Sequence, residues 1–339
     1  MKKVAFYILW MLIIVILLPL LIVKGCTSIP GDLSSKSPPE DVKIKVYIKQ
    51  ENRIQEMGLE EYIKGVVAAE MPAEFNTEAL KAQAVAARTY SFGRIEKVFS
   101  SQGDAHPGAD VCTDSAHCQA WASRESMMKK WGIFAGIKNW NKIARAVNDT
   151  KGVIITYNHA IANPVFHSNS GGKTENAEEV WEGTEVPYLR SVPSEGEDAS
   201  PDYKYTVSVK TEEFLDKLKN AYPEFTIKSK DVLKDIHILS YTAGGRVKDI
   251  QIGNITLKGV DVRKIFSLRS ANFKIEKGED DSLKITTLGY GHGVGMSQWG
   301  ANYLAQKGGM YEEIIKYYYQ GVELDTVSHW MSKDKQDGR

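Results

Sequence analysis

The chain has 339 residues, which is enough for one large domain or two moderate ones. Its 43 Lys and Arg residues equal its 43 Asp and Glu residues in number, so no excess of positive charge points to nucleic acid as a partner. The 3 cysteines are too few to staple a chain of this length, and a packed apolar core must stabilise it instead.

The first predicted element is an uncharged run from Val4 to Val23, which follows two lysines and is long enough to span a bilayer. The positive-inside rule makes residues 1–26 a cytoplasmic stub and single transmembrane anchor in the cell membrane, with the rest of the chain extracytoplasmic. A cleaved signal peptide and a lipoprotein signal ending at Cys26 are alternatives, and both also place the working domain outside the cytoplasm. Residues 27–41 are rich in Ser, Pro and Gly and predict a flexible tether.

The next elements are a strand and a helix that ends at a glutamate. Alternating apolar and charged residues predict a half-buried strand over 42–50. Apolar residues at helical spacing predict a helix from Leu59 to Glu70, and Pro72 favours its end just after Glu70. Burial and the negative end of the helix should raise the pKa of Glu70, which suits a general acid, although a surface helix-capping role is the alternative. A second helix is predicted to begin near Asn76 or Thr77.

The loop over 100–122 contains a cluster of potential metal ligands: His106, Cys112, His117 and Cys118. Two thiolates and two imidazoles are a common tetrahedral zinc set, and four protein ligands would leave no open position, so such a zinc would be structural. A disulfide between Cys112 and Cys118 is the alternative, because the predicted compartment is oxidising.

The rest of the chain completes an α+β domain over 42–325, with patterns for helices over 121–148, strands over 152–157 and 164–167, mixed structure over 204–277 and a glycine-rich loop over 289–295. Residues 204–277 are either part of the same body or an inserted subdomain. Ser297 is the predicted N-cap of the helix after the glycine loop. Residues 326–339 are polar and predict a disordered tail.

Familiar catalytic motifs do not account for this chain. A Ser-His-acid hydrolase is a candidate, but the G-x-S-x-G elbow does not occur in the sequence. A zinc peptidase is a second candidate, and H-E-x-x-H does not occur either. The spacing of the glycine loop fits neither of the common phosphate-binding motifs.

Four blocks of sequence carry a resemblance to a known family: VVAAEMPAEFNTEALKAQAVAARTY, FHSNSGGKTENAEEVW, GRVKDIQIGNITLKGVDVRKIF and GYGHGVGMSQWGANYLAQKG. In this order they resemble the stage II sporulation protein D family of endospore-forming bacteria, over roughly residues 42–322. The resemblance implies a single-pass membrane enzyme that cleaves peptidoglycan strands without stem peptides during engulfment of the forespore. It implies a lytic transglycosylase, with Glu70 as catalytic acid and Arg88 in the substrate cleft. Some clostridial members carry a similar zinc loop.

A lytic transglycosylase needs one carboxyl group, because the C6 hydroxyl of MurNAc replaces water as the nucleophile, whereas a glycoside hydrolase usually needs two. Glu175, Glu178 and Glu182 are reserve carboxylates for a hydrolytic reaction. The predicted sugar-binding groups, besides Arg88, are His167, Ser168, Ser170, Lys173, His292, Ser297 and Gln298, with Tyr290, Trp181 and Trp299 as stacking surfaces.

The resemblance also implies a complex with the other stage II engulfment proteins, an amidase and a membrane scaffold. Two further functions remain open at this point: a wall-binding module that holds glycan without cutting it, and a glycoside hydrolase that uses water. Neither involves nucleic acid.

Overall fold

The computed structural model describes residues 42–99, 106 and 108–336, and it alternates between helices and strands. The helices are α1 (Leu59–Glu70), α2 (Thr77–Ile95), α3 (Arg124–Trp131), α4 (Ile133–Asp149), α5 (Thr211–Ala221), α6 (Gly259–Ile265), α7 (Gln298–Gln306), α8 (Tyr311–Tyr318) and α9 (Val327–Gln336). The strands are β1 (Lys43–Ile48), β2 (Arg53–Gly58), β3 (Val111–Cys112), β4 (Val153–Tyr157), β5 (Ala160–Ile161), β6 (Phe166–His167), β7 (Lys204–Lys210), β8 (Ile236–Tyr241), β9 (Val247–Ile252), β10 (Ile255–Lys258), β11 (Phe273–Lys277), β12 (Ser282–Leu288), β13 (Met296–Ser297) and β14 (Glu323–Thr326). The predicted α+β class is confirmed.

The predicted membrane anchor and tether lie outside the described residues. Within the part of the chain that the structure describes, none of the helices has both the length and the apolar character needed to cross a bilayer.

The main core packs around α1 and α2. Helix α1 ends at Glu70, and Met71 after it is extended, as the following Pro72 requires. Asn76 caps α2 by accepting a hydrogen bond from the Glu78 amide at 3.0 Å. Small residues along α2 are completely buried and let neighbouring helices approach closely: Ala79, Ala82, Ala84, Ala86 and Ala87. This core fixes the orientation of the end of α1.

Small sheets connect distant parts of the chain to this core. Strands β1 and β2 form an antiparallel hairpin, and β3 from the cysteine and histidine loop adds in parallel to β1. Strand β4 is flanked by β5 and β14. Strands β6 and β13 pair in parallel, with Phe166 opposite Met296 and His167 opposite Ser297. The last pairing brings the glycine loop against the end of β6.

A second apolar cluster is built between Val207 and Ile285, from α5, α6 and two antiparallel sheets. Phe214 and Phe266 stack at its centre with ring centroids 4.6 Å apart. The possible subdomain over 204–277 therefore needs a later boundary, because β12 pairs with both β7 and β11 and extends the unit to Leu288.

The C-terminal prediction needs a larger correction. Residues 326–339 were expected to be disordered, but Thr326 ends β14 and Val327–Gln336 forms α9. Val327 is buried with Phe92 and Ile154, and Trp330 packs against the same cluster. These two apolar residues, three positions apart, hold the helix on the body despite its polar composition.

Candidate active site

A cavity of about 400 Å³ opens at the end of α1. Its lining comes from six separate parts of the chain: α1, α2, the cysteine and histidine loop, the strand β6 region, α6 and the glycine loop. The predicted residues that line it are Glu70, Cys118, His167, Ser168, Tyr290 and His292. Among the described lining residues, Glu70 is the one carboxylic acid.

Glu70 is held by two donors in a largely dry environment. The Ala120 amide donates to Oε1 at 2.8 Å, and the Gln298 side-chain amide donates to Oε2 at 3.3 Å. Burial raises the pKa of Glu70 above its usual value, and these two hydrogen bonds partly oppose that rise. The pKa of Glu70 is therefore raised, as the sequence predicted, and the main cause is burial. Gln298 contacts the carboxyl group itself, so it orients Glu70.

His167 is a buried, neutral ring in the cavity wall. Its Nδ1 lies 3.0 Å from the Val294 carbonyl, which can only accept, so Nδ1 carries the proton. Burial lowers the pKa of His167 well below its usual value, with a smaller contribution from His292. Its Nε2 is shielded from solvent and has no partner in the described part of the protein. His167 therefore contributes ring surface, and no charge, to the cavity.

Both nitrogens of His292 are used by the backbone. Nε2 donates to the Phe166 carbonyl at 3.0 Å, and Nδ1 accepts from the Val294 amide at 3.1 Å. Burial lowers the pKa of His292 to about 4, so the ring is neutral near pH 7. The prediction that its nitrogens bind sugar is replaced by a structural role, in which His292 joins the glycine loop to β6.

Arg88 lies in the protein interior and does not line the cavity, which corrects its predicted place in the substrate cleft. Its guanidinium forms a bidentate pair with Glu60, with Nε 2.8 Å from Oε1 and Nη2 2.7 Å from Oε2. It also donates to the carbonyls of Val147 and Val153. The fork geometry of arginine suits this arrangement, which ties α1 and α2 to the end of α4 and to β4.

Three other residues predicted to bind sugar also do not line the cavity. Ser170 is buried and donates to both carboxylate oxygens of Glu197 at 2.8 Å. Ser297 is buried and, as predicted, caps its helix by accepting from the Gly300 amide at 3.2 Å. Lys173 is exposed and lies outside the cavity lining. Ser170 and Ser297 therefore stabilise the turns around the site.

None of the reserve carboxylates is among the described residues that line the cavity. Glu175 is completely buried and pairs with Arg246 at 3.6 Å, while Glu178 pairs with Arg190 at 2.6 Å. Glu182 is exposed. A second acid at the position that a two-carboxylate hydrolase requires is therefore missing from the described lining.

The three aromatic residues predicted to stack on sugar lie in different environments. Tyr290 is partly exposed and lines the cavity. Trp181 packs its ring 5.2 Å from the His292 ring, at the edge of the same region. Trp299 instead packs edge-on against Phe75 with ring centroids 4.9 Å apart, at the border of the main core. Tyr290 is the ring best placed to stack on a ligand.

Two cavity residues, Tyr90 and Arg263, were not singled out from the sequence. Tyr90 faces the cavity from α2, and burial raises the pKa of its hydroxyl. Arg263 comes from α6, in the second apolar unit. The sequence offered one signal for it, since Arg263 lies in a block that carries the family resemblance, but periodicity alone gives an arginine on a short helix no function.

The four predicted metal ligands come together in the loop beside Glu70. One ligand atom from each of His106, Cys112, His117 and Cys118 lies within 4.8 Å of every other. Sγ of Cys118 is 3.4 Å from Nε2 of His106 and 3.3 Å from Nδ1 of His117. Tetrahedral zinc with ordinary bond lengths would place neighbouring ligand atoms about 3.3–3.8 Å apart. The donor set and its spacing therefore fit zinc.

The alternative disulfide is not formed, because Cys112 and Cys118 are both free thiols. Nδ1 of His106 lies 3.1 Å from the Ala109 carbonyl and donates to it, which directs Nε2 toward the cluster. The same loop supplies Cys118 and Gln119 to the cavity wall and the Ala120 amide to Glu70. Any group that orders this loop also orders the surroundings of the carboxyl group.

Residues 47–157, which include the Glu70 helix and the cysteine and histidine loop, match the family model described as "Stage II sporulation protein". Stage II sporulation protein D of Bacillus subtilis (strain 168) is 39% identical over 292 residues, which cover 86% of this chain and 81% of that protein. The protein of the same name from Bacillus amyloliquefaciens is 38% identical over 293 residues, covering 86% of this chain and 81% of that protein.

The chain therefore belongs to the stage II sporulation protein D family. A protein named amidase enhancer from Bacillus subtilis (strain 168) is also similar, at 27% identity over 313 residues, which cover 78% of this chain and 40% of that protein.

Proposed function

We propose that this protein is a lytic transglycosylase that cleaves peptidoglycan strands lacking stem peptides, between MurNAc and GlcNAc, during sporulation engulfment. The observation that carries the proposal is the single carboxylic acid on the described cavity lining, whose pKa is raised by burial. A protonated Glu70 is the form that a general acid needs, and one such group is sufficient for this reaction.

In the proposed reaction, Glu70 donates its proton to the glycosidic oxygen as the bond from that oxygen to C1 of MurNAc breaks. The C6 hydroxyl of the same MurNAc forms the new bond to C1. The Glu70 carboxylate accepts the proton that this hydroxyl loses, which restores the acid. The products are a GlcNAc end with a free 4-hydroxyl and a 1,6-anhydroMurNAc end, and no water is consumed.

The arrangement around Glu70 supports both halves of this cycle. The Ala120 and Gln298 donors stabilise the carboxylate after the first proton transfer. Burial favours the neutral acid before it. The neutral rings of His167 and His292 leave the proton transfers to Glu70, and Tyr290 offers a face for sugar stacking.

Product analysis tests the reaction type. The full chain, incubated with glycan strands free of stem peptides in ¹⁸O-labelled water, should release 1,6-anhydro ends that contain no label, as measured by mass spectrometry. Reducing ends that carry ¹⁸O would instead identify a glycoside hydrolase. Binding to the strands without any cleavage would identify a wall-binding module.

The four-ligand cluster, we propose, holds a structural zinc ion. It would be bound by His106, Cys112, His117 and Cys118, and its four protein ligands would leave no position for substrate. Zinc would supply stability to the loop that carries Ala120, and the glycan chemistry does not require it.

We expect one zinc per chain in protein purified without added metal, measured by atomic emission. The Cys112→Ser variant should lose the zinc and unfold at a lower temperature, because the loop loses a cross-link. Cys26→Ser removes the remaining cysteine and is the matched control. It should keep the zinc and the wild-type unfolding temperature. Full metal content in Cys112→Ser would contradict this ligand set.

We also propose that the N-terminal apolar run anchors the protein in the cell membrane, with the N-terminus cytoplasmic and the catalytic domain outside. The name of the amidase enhancer relative supports a partnership with an amidase, which would remove stem peptides and so prepare this substrate. The other proposed partner is the membrane scaffold of engulfment.

A further inference from the structure

Arg263 is a cation in the Glu70 cavity without a carboxylate partner. It lines the cavity near the end of α6, and its Nε donates to the Leu268 carbonyl at 3.2 Å. Within 42–99, 106 and 108–336, none of the described carboxylates forms an ion pair with Arg263. Half-buried arginines are ordinarily paired with an acid, so the remaining guanidinium donors are available to an anionic ligand.

The charge of the cavity supports the same conclusion. His167 and His292 are neutral, and Glu70 is neutral in the form that begins the reaction. Arg263 is then the one full charge among the described lining residues. Such a cavity has a net positive charge, and its partly dry walls strengthen the attraction for a negative group.

The proposed substrate has one anionic group at the right place. GlcNAc is neutral, whereas MurNAc carries a lactyl ether on C3, whose carboxylate is free when no stem peptide is attached. C3 belongs to the same sugar ring as C1, where the bond breaks. A group that binds this carboxylate must therefore line the same cavity as the general acid, which is where Arg263 lies.

We propose that Arg263 binds the free lactyl carboxylate of the MurNAc whose glycosidic bond is cleaved. This inference rests on the proposed function and assigns to one residue the discrimination against strands that carry peptides. An attached peptide converts the carboxylate into a neutral amide, which would leave the guanidinium desolvated and without an anion. The arrangement therefore favours the free acid through attraction and disfavours the amide through an unpaired charge.

The test compares two substrates that differ only at the lactyl group. One is a (GlcNAc-MurNAc)₂ tetrasaccharide with free lactyl groups, and the other carries them as methylamides. Arg263→Gln in the full chain should lower kcat/KM for the free acid about 10- to 100-fold, as expected for loss of a charge-assisted hydrogen bond. Its kcat/KM for the methylamide should not fall and should rise above the wild-type value, because the variant no longer leaves an unpaired charge beside the amide. Arg263→Lys should recover part of the loss, because it keeps the charge without the fork.

Lys264→Gln is the matched control, since it removes an exposed positive charge one position away on the same helix and should change neither substrate's kcat/KM. Equal loss on both substrates, or no loss on the free acid, would overturn the assignment of Arg263. Denaturation midpoints of both variants show whether they fold.

The experiment gives a different result if the proposed function itself is wrong. In that case the wild type releases no anhydro product from either substrate. The role of Arg263 can then still be tested by calorimetry, which measures how tightly a Glu70→Gln chain binds each of the two tetrasaccharides. If the Glu70→Gln chain binds the free acid more tightly than the methylamide, and the double variant Glu70→Gln with Arg263→Gln loses this preference, the subsite is supported. Equal binding of the free acid and the methylamide to the Glu70→Gln chain rejects it.

Discussion

Replacement of Glu70 with Gln should reduce release of 1,6-anhydro ends by roughly 10²- to 10⁴-fold, the usual contribution of general acid and base catalysis. Glutamine has nearly the same shape and keeps an oxygen for the Ala120 amide, so the cavity should persist. It has no proton to give to the glycosidic oxygen and cannot accept one from the C6 hydroxyl. The measurement is the rate of anhydro product formation, with glycan binding followed in parallel.

Glu61→Gln is the matched control for this variant. Glu61 is exposed on the same helix, where it pairs with Lys64 at 3.0 Å, and its loss should leave the rate unchanged. If Glu70→Gln forms product at the wild-type rate, Glu70 is not the general acid. If both variants lose activity together with their thermal midpoints, the effect arises from folding.

The same assignment fixes the sign of the pH dependence. Because burial raises the pKa of Glu70, the required acid form persists to higher pH than an ordinary glutamate would allow. The value of kcat/KM should therefore fall on the alkaline side, as Glu70 in the free enzyme loses its proton. This falling limb should lie above the normal pKa of glutamic acid, and it should be absent from the residual activity of Glu70→Gln.

The second large effect concerns stability. Arg88→Met should lower the free energy of unfolding by about 3–5 kcal/mol, because it leaves the Glu60 carboxylate in a nearly dry interior without its cation. The carbonyls of Val147 and Val153 also lose a donor. The measurement is equilibrium unfolding in urea, with the yield of folded protein as a second readout.

A double variant separates charge from packing. Glu60→Leu combined with Arg88→Met removes both charges and should recover part of the stability lost in Arg88→Met alone. Lys129→Ala is the surface control, since it breaks an exposed ion pair with Glu125 and should have a far smaller effect. An Arg88→Met protein with wild-type stability and a raised KM for glycan would instead restore the substrate role inferred from the sequence.

Local signals in the sequence were sufficient to predict the secondary structure around Glu70. The apolar spacing of α1 and the proline after it act within a few residues, so they predict where α1 ends. The zinc-ligand candidates were also found from residue type, because two thiols and two imidazoles in one short loop form a donor set typical of zinc. The tail was misjudged because two apolar residues in a polar segment acquire a partner only in the fold.

Long-range contacts decided the roles of the other polar residues. Arg88 and Ser170 were predicted as sugar-binding groups, and each proved to have a buried carboxylate partner supplied by another segment. His292 is occupied by two backbone groups, one of them across the β6 pairing. Apart from the Val294 amide, which is two residues from His292, these partners lie far apart in the chain, and hydrophobic periodicity carries no information about them.

The sequence by itself determined the α+β class, the family resemblance and a glutamate at the end of an apolar helix, because these depend on local periodicity and motif identity. Only the tertiary structure decided that the Ala120 amide holds this carboxyl group and that Arg263 lines the same cavity. Both facts depend on how separate segments pack around one space. The physical reason is that burial and charge pairing, which set the chemistry of a polar side chain, are properties of its neighbours in three dimensions.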